Sequence, residues 1–241
     1  MARANEKECL ETIKNAILGK INFNVYSNCE IEDISKIVFS AAENSNDSKF
    51  PDFVFEGGGI EHFQLTSSKE TKKGSEFKID ENKNKQIRER NEERLKQELL
   101  SSDYAPDTFS TSSYEEIYES FTYDDFLFSL QRNISNHVDS LIKSHYENKI
   151  VVFLMEQQTA RLWIDEGVTP IRFYELHKDK KALSLIKETC SFVNYIIYYV
   201  SDSIEIIDLS KLDSLLDKSI NYKNVKGGRL IIHKIYLSID I

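Results

Sequence analysis

Three consecutive glycines, Gly57-Gly58-Gly59, separate two short apolar segments, Phe53-Val54-Phe55 and Ile60 to Leu65. Glycine takes positive φ without steric cost, so a tight reversal between two antiparallel strands is expected there. No other stretch constrains the chain as tightly, because a hairpin sets which residues face each other. Asp52 opens the first strand and Glu61 the second. The reversal therefore brings two carboxylates onto neighbouring strands, close enough to share a divalent cation.

Around that hairpin the pattern alternates between helix and strand. Residues 5–19 read as a helix, capped by Asn5 and ended by Gly19, with Leu10, Ile13 and Ile17 on one face. Glu6 falls on that face, either fraying into water at the first turn or pointing into a site. Ile21, Phe23 and Val25 alternate as a half-buried strand does, and Ile31 to Ala41 has helical spacing. Residues 84–100 are helix formers of mixed charge with few apolar positions, read as a solvated helix. Ser101 to Glu119 is the best linker or surface-loop candidate.

Asp124 to Tyr146 carries a continuous apolar stripe of Leu127, Leu130, Ile134, Val138, Leu141 and Ile142, the mark of a long amphipathic helix. Ile150 to Met155 is unbroken and apolar, as in a strand buried on both faces. A helix over 179–189, a hairpin around Ser201-Asp202-Ser203, a helical piece over 211–216 and a closing strand over 229–239 complete the chain. The order implies a single α/β domain over residues 1–241, with a mixed central sheet flanked by helices.

Composition narrows the classes. Hydrophobic residues make up 40% of the 241 positions, enough for a sizeable core. No apolar run approaches the roughly 18 residues a membrane helix needs, and Cys9, Cys29 and Cys190 form no CxxC pair. These features point to a soluble, cytoplasmic protein without a disulfide framework. The net charge of −9 opposes a broad nucleic-acid-binding surface, while leaving room for a nuclease whose metal site is itself acidic. GxGxxG, GxxxxGK[ST] and GxSxG motifs are absent, and His137, His145, His177 and His233 have no zinc-ligand spacing. His62 is read as a half-exposed histidine bonded locally, on the strand face opposite Glu61. The aromatic group Tyr114, Tyr118, Phe121, Tyr123, Phe126 and Phe128 reads as core against the long helix, or else as a surface for a protein partner.

With Pro51-Asp52 followed by Glu61 on the next strand, the sequence resembles the PD-(D/E)xK nuclease-like superfamily. The resemblance covers roughly Asn5 to Glu156: a helix, the hairpin, a further helix and a buried strand. It implies a restriction-endonuclease-like core, here with a C-terminal extension of hairpin and strands. It also implies Asp52 and Glu61 as ligands for Mg²⁺ or Mn²⁺, with Glu6 as an extra acid from the first helix. The family's lysine belongs two residues after the glutamate, where this chain has Phe63. Gln64 lies on the other strand face, so Lys69, Lys72 and Lys73 are the candidates to supply the missing charge. The resemblance therefore implies a Mg-dependent endonuclease acting on DNA. The alternative is a non-catalytic interaction or regulatory protein on a degenerate nuclease-like scaffold.

Overall fold

The computed structural model describes residues 2–45, 50–65, 70–71, 74–75, 108–117, 122–157, 161–164 and 172–238, with individual positions between 85 and 97. Helix α1 (Ala2–Ile17), strand β1 (Asn24–Ser27), helix α2 (Ile31–Ser40), and strands β2 (Ala42–Glu43), β3 (Phe53–Phe55) and β4 (Gly58–Leu65) come first. A small hairpin of β5 (Glu70–Thr71) and β6 (Gly74–Ser75) precedes β7 (Thr108–Ile117). Then follow α3 (Tyr123–Lys143), β8 (Ile150–Gln157), β9 (Arg161–Ile164), β10 (Arg172–Phe173) and α4 (Lys180–Thr189). The last elements are β11 (Tyr195–Val200), β12 (Ser203–Asp208), α5 (Leu212–Lys218) and β13 (Val225–Ser238).

The architecture is α/β, built on a mixed seven-stranded sheet in the order β1-β12-β11-β8-β4-β3-β2. Strand β8 runs parallel to both neighbours, β4 and β11, while β2, β3 and β4 form an antiparallel meander. Val151 to Met155 on β8 are fully buried, as an unbroken apolar run requires. One core cluster joins the sheet to α3 and α4 through Leu130, Ile134, Val151, Phe153, Leu183 and Ile186. The other joins the opposite face to α1 and α2 through Leu10, Ile13, Ile34, Val38, Ile60 and Leu154. Each such side chain contributes roughly 1.5–3 kcal/mol by leaving water.

Local chemistry explains the helix ends. Thr122 caps α3 by accepting from the Asp125 amide, and Gly19, at φ +66, follows the end of α1. Asp179 caps α4 through the Lys181 and Ala182 amides. Its other carboxylate oxygen accepts from the Tyr123 and Tyr174 hydroxyls, tying the start of α3 to α4. Among the described residues no helix is long and apolar enough to cross a membrane.

Several expectations need correction. Residues 108–117, inside the segment read as a linker, form β7 and pair along their whole length with β13. Together with β9 and β10 these strands make a second, four-stranded sheet. The hairpin of β11 and β12 is not an extension: it lies within the central sheet, between β8 and β1. The first strand starts at Asn24, where pairing with Ser203 begins, three residues later than the alternation of Ile21, Phe23 and Val25 suggests. Of the aromatic group, Phe126 is core and Phe128 is 64% exposed. Described positions between 85 and 97 are helical and exposed, in keeping with a solvated helix.

The three glycines do different work. Gly57 has φ +86 and makes the turn. A Cβ on Gly58 would stand 2.0 Å from the Ile150 carbonyl oxygen, and one on Gly59 would stand 2.2 Å from the Pro51 ring. Both glycines allow close approach, by β8 in one case and by Pro51 in the other. Gly58→Ala must push β4 away from β8, so a loss of about 2–3 kcal/mol is expected in chemical unfolding. Gly57 faces open space, so the penalty of an alanine there comes from its positive φ alone.

Candidate functional site

The pairs Phe53↔Ile60 and Val54↔Gly59 set the register of the β3·β4 hairpin. One step further along, Asp52 lies opposite Glu61, and Asn44 donates its amide to the Asp52 carbonyl to continue the ladder onto β2. The two acids share the sheet face that α3 covers, because Phe53 and Ile60 belong to the core on the other face. The His62 amide donates to Asp52 Oδ2 at 2.7 Å, which holds the aspartate against β4.

Glu61 is 8% exposed, and its two oxygens fare differently. Oε1 pairs with His137 Nδ1 at 2.7 Å, while Oε2 is buried with no hydrogen-bond partner among the described residues. Burial raises the Asp52 carboxyl, and the negative charge of Glu61 raises it further, to about 6 from an ordinary 3.8. The His62 amide and the nearby histidines oppose that rise without cancelling it. Two carboxylates that raise each other's cost of ionisation, partly out of water and with one oxygen orphaned among the described residues, are the kind of pair a cation would relieve. Their hard oxygen donors fit Mg²⁺ or Mn²⁺.

His137 joins this pair from α3, 76 residues away in sequence. Its ring stacks on Phe63 with centroids 4.3 Å apart and planes 12° apart, and Phe63 meets Phe153 edge-on at 5.4 Å. The residue in the lysine position of the resemblance is thus the platform for a histidine. His137 was missed because its partner lies on another element. Its one sequence signal is a titratable residue on the apolar stripe of α3, three residues after Ile134 and four before Leu141.

The other expected site residues are placed as follows. Glu6 is half-buried on α1, three residues before the buried Cys9, and so approaches the sheet from the face opposite α3. Gln64 is half-buried and one residue out of phase with Phe63. Lys69, Lys72 and Lys73 lie outside the described residues. His62 differs from its expected half-exposed state. It is buried on the α1 face, with Nε2 3.0 Å from Glu156 Oε2 on β8. Glu61 and His62 do point to opposite faces, each finding a partner on a different element.

Comparison with protein-family models, with curated proteins and with solved structures finds no match.

Proposed function

We propose that the chain is a divalent-metal-dependent nuclease that cleaves phosphodiester bonds in DNA, with Asp52 and Glu61 as the metal-holding acids. The observation that carries this reading is the orphaned, buried Glu61 Oε2 beside an Asp52 carboxyl whose pKa is raised to about 6. A buried carboxylate oxygen without a partner costs on the order of 1–3 kcal/mol, a cost a bound cation removes. A helix, the antiparallel β2, β3 and β4, the long helix α3 and the buried strand β8 follow one another in the order the resemblance implies, with β1 and α2 inserted before β2 and β5, β6 and β7 before α3. When bound, Mg²⁺ or Mn²⁺ polarises the phosphoryl oxygen and stabilises developing negative charge.

The protein's own groups divide the remaining work. A carboxylate has no proton to give, so His137 Nδ1 donates to Glu61 Oε1. In its neutral form this imidazole carries its lone pair on Nε2, and a quarter of the side chain reaches solvent. Nε2 is the atom that can take a proton from an attacking water, with Glu61 stabilising the imidazolium that results. Phe63 holds the ring at its angle. His137 thereby takes over the proton handling that a motif lysine would otherwise assist.

Titration of Mn²⁺ into the wild type and into Asp52→Ala/Glu61→Ala tests the metal site, and supercoiled DNA with Mg²⁺ or Mn²⁺ tests the chemistry. Saturable heat lost in the double variant is expected, together with cleavage reduced about 10²-fold or more by His137→Ala. Equal heats in the two proteins would defeat the proposal. The presence of Phe63 at the lysine position favours a second reading, a non-catalytic scaffold for a protein partner. Metal binding without cleavage of single- or double-stranded DNA would select it.

A further inference from the structure

The face of β4 opposite Glu61 carries a different set of donors. Cys9 from α1, His62 from β4 and Glu156 from β8 each present one ligand atom, and these atoms all lie within 4.8 Å of one another. Cys9 is 3% and His62 7% exposed, and Glu156 is largely covered. We propose that Cys9, His62 and Glu156 form a binding site for Zn²⁺, separate from the Asp52–Glu61 pair.

The donor set decides the metal. A thiolate sulfur and an imidazole nitrogen are soft or borderline ligands that Mg²⁺ does not choose, whereas zinc accepts sulfur, nitrogen and oxygen together. Donor atoms around tetrahedral zinc stand roughly 3.3–3.8 Å apart, given bonds of about 2.0–2.3 Å. Rotamer adjustments of about 1 Å convert the present cluster into that geometry. The three residues come from three elements, so no backbone rearrangement within one segment is needed.

Charge also favours the assignment. Zn²⁺ with the thiolate of Cys9 and the carboxylate of Glu156 is neutral overall, and a neutral set suits a buried site. Without metal, His62 and Glu156 satisfy each other at 3.0 Å, while burial and the Glu156 charge hold the Cys9 thiol far above its usual range. Binding therefore displaces the thiol proton to solvent, and His62 Nε2 turns its lone pair from any proton to the metal. Three protein ligands leave one position for water. Held in this way, the metal pins α1 to the centre of the sheet. It also fixes the segment of β4 whose His62 amide holds Asp52.

Cobalt(II) provides a direct readout, because thiolate ligation gives a near-ultraviolet charge-transfer band that oxygen ligands cannot give. Co²⁺ added to the chelator-treated full chain should produce that band, saturating at one ion per chain and bleaching when Zn²⁺ is added. Cys9→Ser, close to isosteric, should abolish the band, and Glu156→Gln should weaken Co²⁺ binding at least about 10-fold. Zn²⁺ at about 100 times its Kd should raise the wild-type Tm by roughly 5–10 °C and leave Cys9→Ser unmoved. Asp52→Ala/Glu61→Ala should keep the band, so failure of the nuclease proposal leaves this one standing. A wild type without the band overturns the site. So does a band that survives in Cys9→Ser, which would belong to Cys29 or Cys190.

Discussion

Asp52→Asn is expected to make the protein more stable at pH 7.5 by about 2 kcal/mol while lowering metal-dependent cleavage by roughly 10³-fold or more. The two effects share one cause. Asp52 is ionised at that pH although burial and Glu61 oppose its charge, so its pKa in the fold is about 6 against an ordinary 3.8. A group whose folded pKa is raised contributes stability below pH 3.8, and that contribution is lost as the pH rises through about 6. At 1.36 kcal/mol per unit the shift corresponds to about 3 kcal/mol, and partial solvent access to the carboxylate reduces it to about 2.

Asparagine keeps an oxygen to accept the His62 amide and removes the repulsion. Urea unfolding should show the advantage of the variant at pH 7.5, falling to about half at pH 5, where much of the native Asp52 is already protonated. Saturating Mn²⁺ should stabilise the wild type more than the variant, because a cation offsets the same repulsion. A variant less stable than the wild type at pH 7.5 would make the carboxylate a structural asset and remove the argument for a metal.

Phe63→Lys is expected to destabilise the fold by about 3 kcal/mol or more, lowering Tm by roughly 6–12 °C, and to slow the proposed metal-dependent cleavage. Phe63 is 5% exposed, with His137 stacked on one side and Phe153 edge-on. A lysine there loses both aromatic contacts and places an ammonium beneath α3, an expense that pairing with Glu61 offsets only in part. His137 also loses its platform, so the proton transfer proposed for it is expected to fail with it. Phe63→Leu, which keeps an apolar side chain, should cost only about 1 kcal/mol and serves as the control. Undiminished stability with faster cleavage in Phe63→Lys would mean that the position still belongs to a lysine.

These two positions show where reading from sequence succeeds. Asp52 and Glu61 face each other because a glycine turn is local, and three residues are enough to specify it. The buried strand at Ile150 and the amphipathic helix over 124–146 were legible for the same reason: period and hydrophobicity are properties of a short window. Phe63 was identified by its place in a motif, but its aromatic neighbours were not.

Polar Ser110-Thr111-Ser112-Ser113 gave every sign of a loop, yet β7 exists because β13 supplies a ladder partner more than 100 residues later. The hairpin of β11 and β12 was evident, while its place in the middle of the sheet depends on pairing with β8 and β1.

The sequence alone determined the α/β class, the hairpin with its two facing acids, the helix stripes and the central buried strand. Each follows from rotational period or turn chemistry within about 20 residues. Only the tertiary structure decided that Glu61 meets His137, that His62 meets Glu156 across β8, and that Cys9 reaches them from α1. Those contacts join residues 53 to 147 positions apart. Sheet order and helix packing choose such partners, since a side chain's local spacing states which face it occupies and never what waits there.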